Sequence, residues 1–123
     1  TSAVRVINDS AQSTRVEFRV PSADTNPYSA LAMLLAAGLW GIEGRVKPSA
    51  MRSDDCYATN GPQEAQFPND LGAAADRLAK STPAREVFGD AFVDGFAHAC
   101  RMEDLEYRRY VSAWDRERYL EIV

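Results

Sequence analysis

The run from Ala30 to Ile42, Ala-Leu-Ala-Met-Leu-Leu-Ala-Ala-Gly-Leu-Trp-Gly-Ile, holds no charged residue and is apolar nearly all round at helical spacing. Asn26 stands ready to cap a helix whose first position is Pro27, so the pattern predicts a buried helix over 27–42. Ala32, Ala36, Ala37 and Gly38 permit close packing against whatever covers it. The run is shorter than the ~20 residues of a membrane span, so its cover must be protein. In a chain of 123 residues, 46% of them hydrophobic, there is room for one domain. The remaining residues do not easily supply cover on every side.

Just before this helix, Thr14-Arg15-Val16-Glu17-Phe18-Arg19-Val20-Pro21 alternates strictly. As a strand it places Arg15, Glu17 and Arg19 on one face and Val16, Phe18 and Val20, a core face, on the other. Arg offers planar forked donors and Glu a hard oxygen ligand, so the charged face suits a metal with a phosphorylated or carboxylated ligand. On spacing alone an ordinary solvated face with its own ion pairs is the commoner reading. Upstream, Val4-Arg5-Val6-Ile7 is strand-like, and the turn-prone Asn8-Asp9-Ser10-Ala11-Gln12-Ser13 makes residues 3 to 20 a hairpin with a long loop. An isolated hairpin is marginal in water. These strands are expected to join others, pack on the helices or pair with a second chain. The start at Thr1, without a methionine and almost directly in a strand, also suggests a piece of something longer.

Residues 44 to 68 carry Pro48, Gly61, Pro62 and Pro68 without a clear period and are expected to form a long loop. The region 70–122 reads as helical. Leu71, Ala74, Ala75 and Leu78 mark one helix, Thr82-Pro83 begins a short one that Gly89 stops, and Asp90 is placed to cap a long one reaching about Val111. Ser112 with Asp115 resembles a capping box for a last helix ending near Leu120. The alternating charges of 103–109 and 115–121 read as solvated faces. The expected fold is therefore α+β and mostly helical: a short N-terminal β-hairpin, then about five α-helices.

A formal charge of −4 argues against nucleic acid and anionic membrane as partners. Cys56 and Cys100 lack metal-type spacing; free thiols and a single disulfide both stay open. His98, the sole histidine, has no ligand partner at helical spacing, and no nucleophile elbow, Rossmann loop or P-loop occurs. Catalysis therefore has to come from the strand face or not at all.

The string Glu17-Phe18-Arg19-Val20-Pro21, followed by Asn26-Pro27-Tyr28 and the helix closing in Ala37-Gly38-Leu39-Trp40-Gly41-Ile42, resembles the glutamine synthetase family near the end of its catalytic domain. The resemblance implies the C-terminal portion of such a domain, its hairpin belonging to a larger sheet, with the rest of the domain upstream. It implies an ATP-dependent ligase joining glutamate to ammonia or an amine through γ-glutamyl phosphate, with Mg²⁺ or Mn²⁺, in a homo-oligomeric ring in the cytoplasm. By position, Glu17 matches a ligand of the metal beside the nucleotide phosphates. Arg19 matches the group contacting glutamate and the transferring phosphoryl, and Arg15 and Arg5 match arginines that hold the nucleotide, although the loop between Arg5 and Arg15 is shorter than the family's. The family's other metal ligands would lie before Thr1, so the chain alone is expected to be inactive.

The ending Tyr110 to Leu120 resembles γ-glutamylamine and γ-glutamylpolyamine ligases more than ammonia-using members. Tyr57 lacks the surroundings of the regulatory tyrosine in some bacterial members. Two other readings stay open: a non-catalytic assembly module of the family, and a self-contained helical binding module.

Overall fold

The computed structural model describes residues 3–51 and 66–122, and divides into two compact units, Thr1–Gln66 and Phe67–Val123. Cys56, Tyr57 and most of the expected 44–68 loop lie outside the described residues. The described residues form two strands and then five helices, the α+β, mostly helical class the sequence predicts.

In the first unit, β1 (Val4–Ile7) pairs antiparallel with β2 (Arg15–Phe18), setting Val4 opposite Phe18, Arg5 opposite Glu17, Val6 opposite Val16 and Ile7 opposite Arg15. The loop fixes this register. Ser13 and Thr14 donate their backbone N–H groups to the Ser10 carbonyl at 3.1 and 2.9 Å, and the Thr14 hydroxyl lies 2.7 Å from the same oxygen and 3.1 Å from Asn8 Oδ1. Beyond β2 the ladder continues, with the Arg19 N–H donating to the Ala3 carbonyl at 2.8 Å.

The helix α1 (Pro27–Glu43) starts as its sequence requires. Asn26 Oδ1 accepts from the N–H groups of Tyr28 and Ser29 at 3.0 and 3.3 Å, and Pro27 occupies the first turn, where no N–H is missed. At the other end Val46 N–H reaches the Gly41 carbonyl (2.9 Å) and Arg45 N–H the Ile42 carbonyl (3.1 Å), the bond pair of a Schellman turn. The left-handed residue of that turn is Arg45 (φ 49°), while Gly44 stays right-handed. A Cβ at Gly44 would sit 3.1 Å from the Trp40 carbonyl oxygen, a tight contact.

The expected burial of 27–42 is not met within the described residues. Ala36 alone is buried, while Tyr28 (84% exposed), Leu35 (64%) and Ile42 (74%) stand open. A helix apolar on all sides needs a layer on each side, and α1 makes no extensive contact with either strand. The apolar face of the hairpin, Val4, Val6, Val16 and Phe18, is likewise exposed rather than core. The single buried residue of the hairpin, Ile7, belongs by alternation to the charged face.

The second unit is built on α4 (Asp90–Arg109), against which α2 (Leu71–Ala79) and α3 (Thr82–Phe88) pack; α5 (Ala113–Tyr119) follows. Ala75, Val93 and Ala97 form the buried contact. Helices α2 and α4 approach closely at Gly72, where a Cβ would meet Asp104 Oδ2 at 2.8 Å. Charges link the same pair, Arg101 to Asp76 at 2.7 Å and Arg108 to Asp70 at 3.4 Å, while Arg108 also bonds Asp104 of its own helix at 2.6 Å. Asp70 also caps α2 by accepting from Ala73 N–H at 2.7 Å.

The joint between α2, α3 and α4 is held by one side chain. The Arg85 guanidinium donates to the Ala79 carbonyl at 2.6 and 2.9 Å, to Asp90 at 2.7 Å and to Asp94 at 2.6 Å. Asp90 therefore does not cap α4 as its position suggests. It is the first helical residue, the cap is Gly89 (φ 78°) with no side-chain bond, and the Asp90 carboxylate is spent on Arg85. Helix α4 stops at Arg109, short of Val111. The Ser112–Asp115 capping box forms, with Ser112 N–H to Asp115 Oδ2 at 3.0 Å and Asp115 N–H to Ser112 Oγ at 3.1 Å.

Two outcomes follow for this unit. Val93→Ala truncates the largest fully buried side chain among the described residues and is expected to cost about 2 kcal/mol, read as a lower urea midpoint by far-ultraviolet circular dichroism. The Arg85 hydrogen bond, then its charge, holds the Asp94 carboxyl below its usual range, and the Ser112 hydroxyl does so for Asp115. A depressed folded pKa stabilises above the unfolded value, about 3.9, and that stability is lost as pH falls through the folded value. Amide-exchange protection of α3 is expected to fade below about pH 4, and Asp94→Asn to weaken that dependence.

Candidate functional site

The register of β1 against β2 brings three of the four sequence-designated residues together. Arg5 Nη1 lies 3.5 Å from Glu17 Oε2, and Arg15 Nη2 lies 3.3 Å from Glu17 Oε1, so each carboxylate oxygen has its own guanidinium. Arg15 is steadied by a second bond, Nη1 to the Ser13 carbonyl at 3.1 Å. Both arginine side chains are largely exposed (60% and 57%), and Glu17 is about two-thirds covered, its side chain 33% exposed. Arg19 falls on the same face, two residues beyond Glu17, its backbone fixed by the bond to Ala3. Its exposed side chain has no carboxylate partner among the described residues.

Chemically, this face presents three guanidiniums and one carboxylate to an incoming group. Guanidiniums bind phosphate and carboxylate oxygens through paired N–H donors. Glu17 suits a hard divalent cation as one oxygen ligand. A complete metal site needs more donors than this face has, and no group of three or more His, Cys, Asp or Glu side chains able to hold a metal occurs among the described residues. Cys100 is a free thiol.

The partnership of Arg5 with Glu17 is the feature that alternation alone misses. Alternation within β2 finds Arg15, Glu17 and Arg19, whereas Arg5 joins them only through the register, which depends on how Ser10, Ser13 and Thr14 fold the loop.

Comparison with known proteins shows the class of domain to which the chain belongs. The family model described as "Glutamine synthetase, catalytic domain" matches residues 1–119, and the chain belongs to that family. It is 39% identical to type-1 glutamine synthetase 2 of Dictyostelium discoideum over the whole chain and 24% of that protein's length. It is 33% identical to glutamate–isopropylamine ligase of a Pseudomonas species, across the whole chain and 27% of that protein. Over 98% of the chain it is 36% identical to gamma-glutamylethanolamide synthetase of Streptomyces coelicolor, covering 25% of that protein. The chain thus spans about a quarter of the length of these curated relatives. No helix among the described residues is long and apolar enough to cross a membrane.

Since exposed ion pairs contribute about 0.2–1 kcal/mol, Glu17→Gln is expected to leave the hairpin paired. Backbone amide exchange of β1 and β2 should stay within about fivefold of the parent; loss of protection across both strands would show that the charges hold the register.

Proposed function

We propose that the chain is the C-terminal portion of the catalytic domain of an ATP-dependent glutamate–amine ligase. The observation that carries this reading is the single strand face on which Glu17 stands between Arg5 and Arg15 with Arg19 beside them, in a member of the glutamine synthetase family. In the reaction, a carboxylate oxygen of the glutamate side chain attacks the terminal phosphoryl of ATP, ADP departs, and an amine displaces phosphate from the resulting γ-glutamyl phosphate. Negative charge gathers on the phosphoryl oxygens throughout, so the protein's work is positioning and electrostatic stabilisation.

Arg5 and Arg15 are assigned to the nucleotide phosphates, Arg19 to glutamate and the transferring phosphoryl, and Glu17 to a divalent cation, Mg²⁺ or Mn²⁺. When bound, that cation neutralises phosphate charge. The remaining ligands and the amine pocket belong to the rest of the catalytic domain, which makes the isolated chain inactive. The exposed apolar faces of α1 and the hairpin support this incompleteness. They also support a second reading, a non-catalytic module that uses those faces for assembly; within the ligase reading the same faces serve the rest of the domain and a cytoplasmic homo-oligomer. The acceptor is ammonia or an amine, the named relatives spanning both.

Phosphate release by the full-length protein with ATP, Mg²⁺ and glutamate is expected to depend on one acceptor from a panel of ammonia, monoamines and polyamines. Arg19→Ala is expected to lower turnover by about 10²- to 10³-fold, and Glu17→Gln to raise the Mg²⁺ requirement at least about tenfold. No release with any acceptor would favour the assembly module.

A further inference from the structure

Two serines in the hairpin loop bind each other in both directions. The Ser10 N–H donates to Ser13 Oγ at 2.9 Å, the Ser13 N–H lies 3.2 Å from Ser10 Oγ, and the two hydroxyl oxygens are 3.0 Å apart. The backbone bonds that set the register, from the Ser13 and Thr14 amides to the Ser10 carbonyl, do not need these hydroxyls. What the serine pair fixes in addition is the peptide unit of Ser13. Its carbonyl accepts from Arg15 Nη1 at 3.1 Å, while Glu17 Oε1 lies 3.3 Å from Nη2 of the same guanidinium. With one acceptor on each terminal nitrogen the plane of the guanidinium is set, and Nε–H and the outer hydrogens of both terminal nitrogens remain for phosphate oxygens.

The two holds differ in kind. A carboxylate orients a guanidinium but also offsets its charge and repels an incoming phosphate, whereas a carbonyl orients it and leaves the positive charge in place. Arg5 has no such carbonyl among its described partners. We propose that Ser10 and Ser13 are positioning residues, whose mutual hydroxyl bonds aim the Ser13 carbonyl at Arg15 and so pre-set its guanidinium for the phosphates of a nucleotide. This rests on the assignment of Arg15 to nucleotide phosphate and adds two hydroxyls that act only through Arg15. The Arg15 side chain is 57% exposed, and a long exposed side chain that is already held loses less rotamer freedom when it binds. A hydrogen bond of this kind shifts an equilibrium by about two- to tenfold, which sets the size of the effect.

The test is the affinity of the full-length protein for a non-hydrolysable ATP analogue, measured by calorimetry in excess Mg²⁺. Ser10→Ala and Ser13→Ala are each expected to weaken binding by about two- to tenfold, and Ser10→Thr, which keeps the hydroxyl on an exposed residue, to stay within about twofold of the parent. Combined with Arg15→Ala, the two alanine substitutions are expected to change affinity by less than about twofold, whereas combined with Arg5→Ala their effects add. Amide exchange of β1 and β2 is expected to keep its protection in every serine variant. Serine variants that bind the analogue as the parent does, that weaken it equally with and without Arg15, or that weaken it only with loss of strand protection overturn the positioning role while Arg15 keeps its assignment. If Arg15→Ala leaves the affinity unchanged, or the parent binds no analogue, the assignment of Arg15 to nucleotide fails and the positioning role with it.

Discussion

A slip of one residue between β1 and β2 would turn Arg5 to the face of Val16 and Phe18 and leave Glu17 opposite an apolar side chain. The grouping of Arg5, Arg15 and Glu17 depends on that register. It is held less by the cross-strand charges, which are exposed, than by the loop, where the Ser10 carbonyl gathers the Ser13 and Thr14 amides and the Thr14 hydroxyl. The ladder then runs on through Arg19 to Ala3, so the backbone of Arg19 is fixed by the same pairing.

The hairpin and α1 share a second constraint, the amount of apolar surface they expose. Val6, Val16, Leu31, Leu35, Leu39 and Ile42 are all more than half exposed, and an isolated two-stranded sheet is marginal in water. The second unit differs. Its α2 and α4 close on Ala75, Val93 and Ala97, and five carboxylates pair with Arg85, Arg101 and Arg108.

Much of this was legible from residue patterns. Period-2 alternation located β2 and sorted its charged from its apolar side, Asn26-Pro27 marked the start of α1, and Ser112 with Asp115 marked that of α5. What alternation could not supply was cross-strand register, since one strand's pattern says nothing of which residue of its partner stands opposite. Nor does a carboxylate's place in a sequence reveal which of two partners it takes: Asp90 sits where a cap belongs, yet Arg85, with four bonds to make across three helices, claims it. The left-handed turn after α1 falls at Arg45, one residue beyond the glycine, with Gly44 still right-handed and its N–H bonded to the Trp40 carbonyl. The exposure of α1 follows from composition: a helix apolar on every side states that cover is required but not where it lies.

The account turns on Glu17 meeting a cation while its flanking arginines meet phosphate. Crystals of the full-length protein with Mn²⁺ and a non-hydrolysable ATP analogue, measured at the manganese absorption edge, test this directly. The predicted result is an anomalous peak in direct coordination with the Glu17 carboxylate, with Arg5 and Arg15 on phosphate oxygens. Manganese bound away from Glu17, with neither arginine on phosphate, would contradict it.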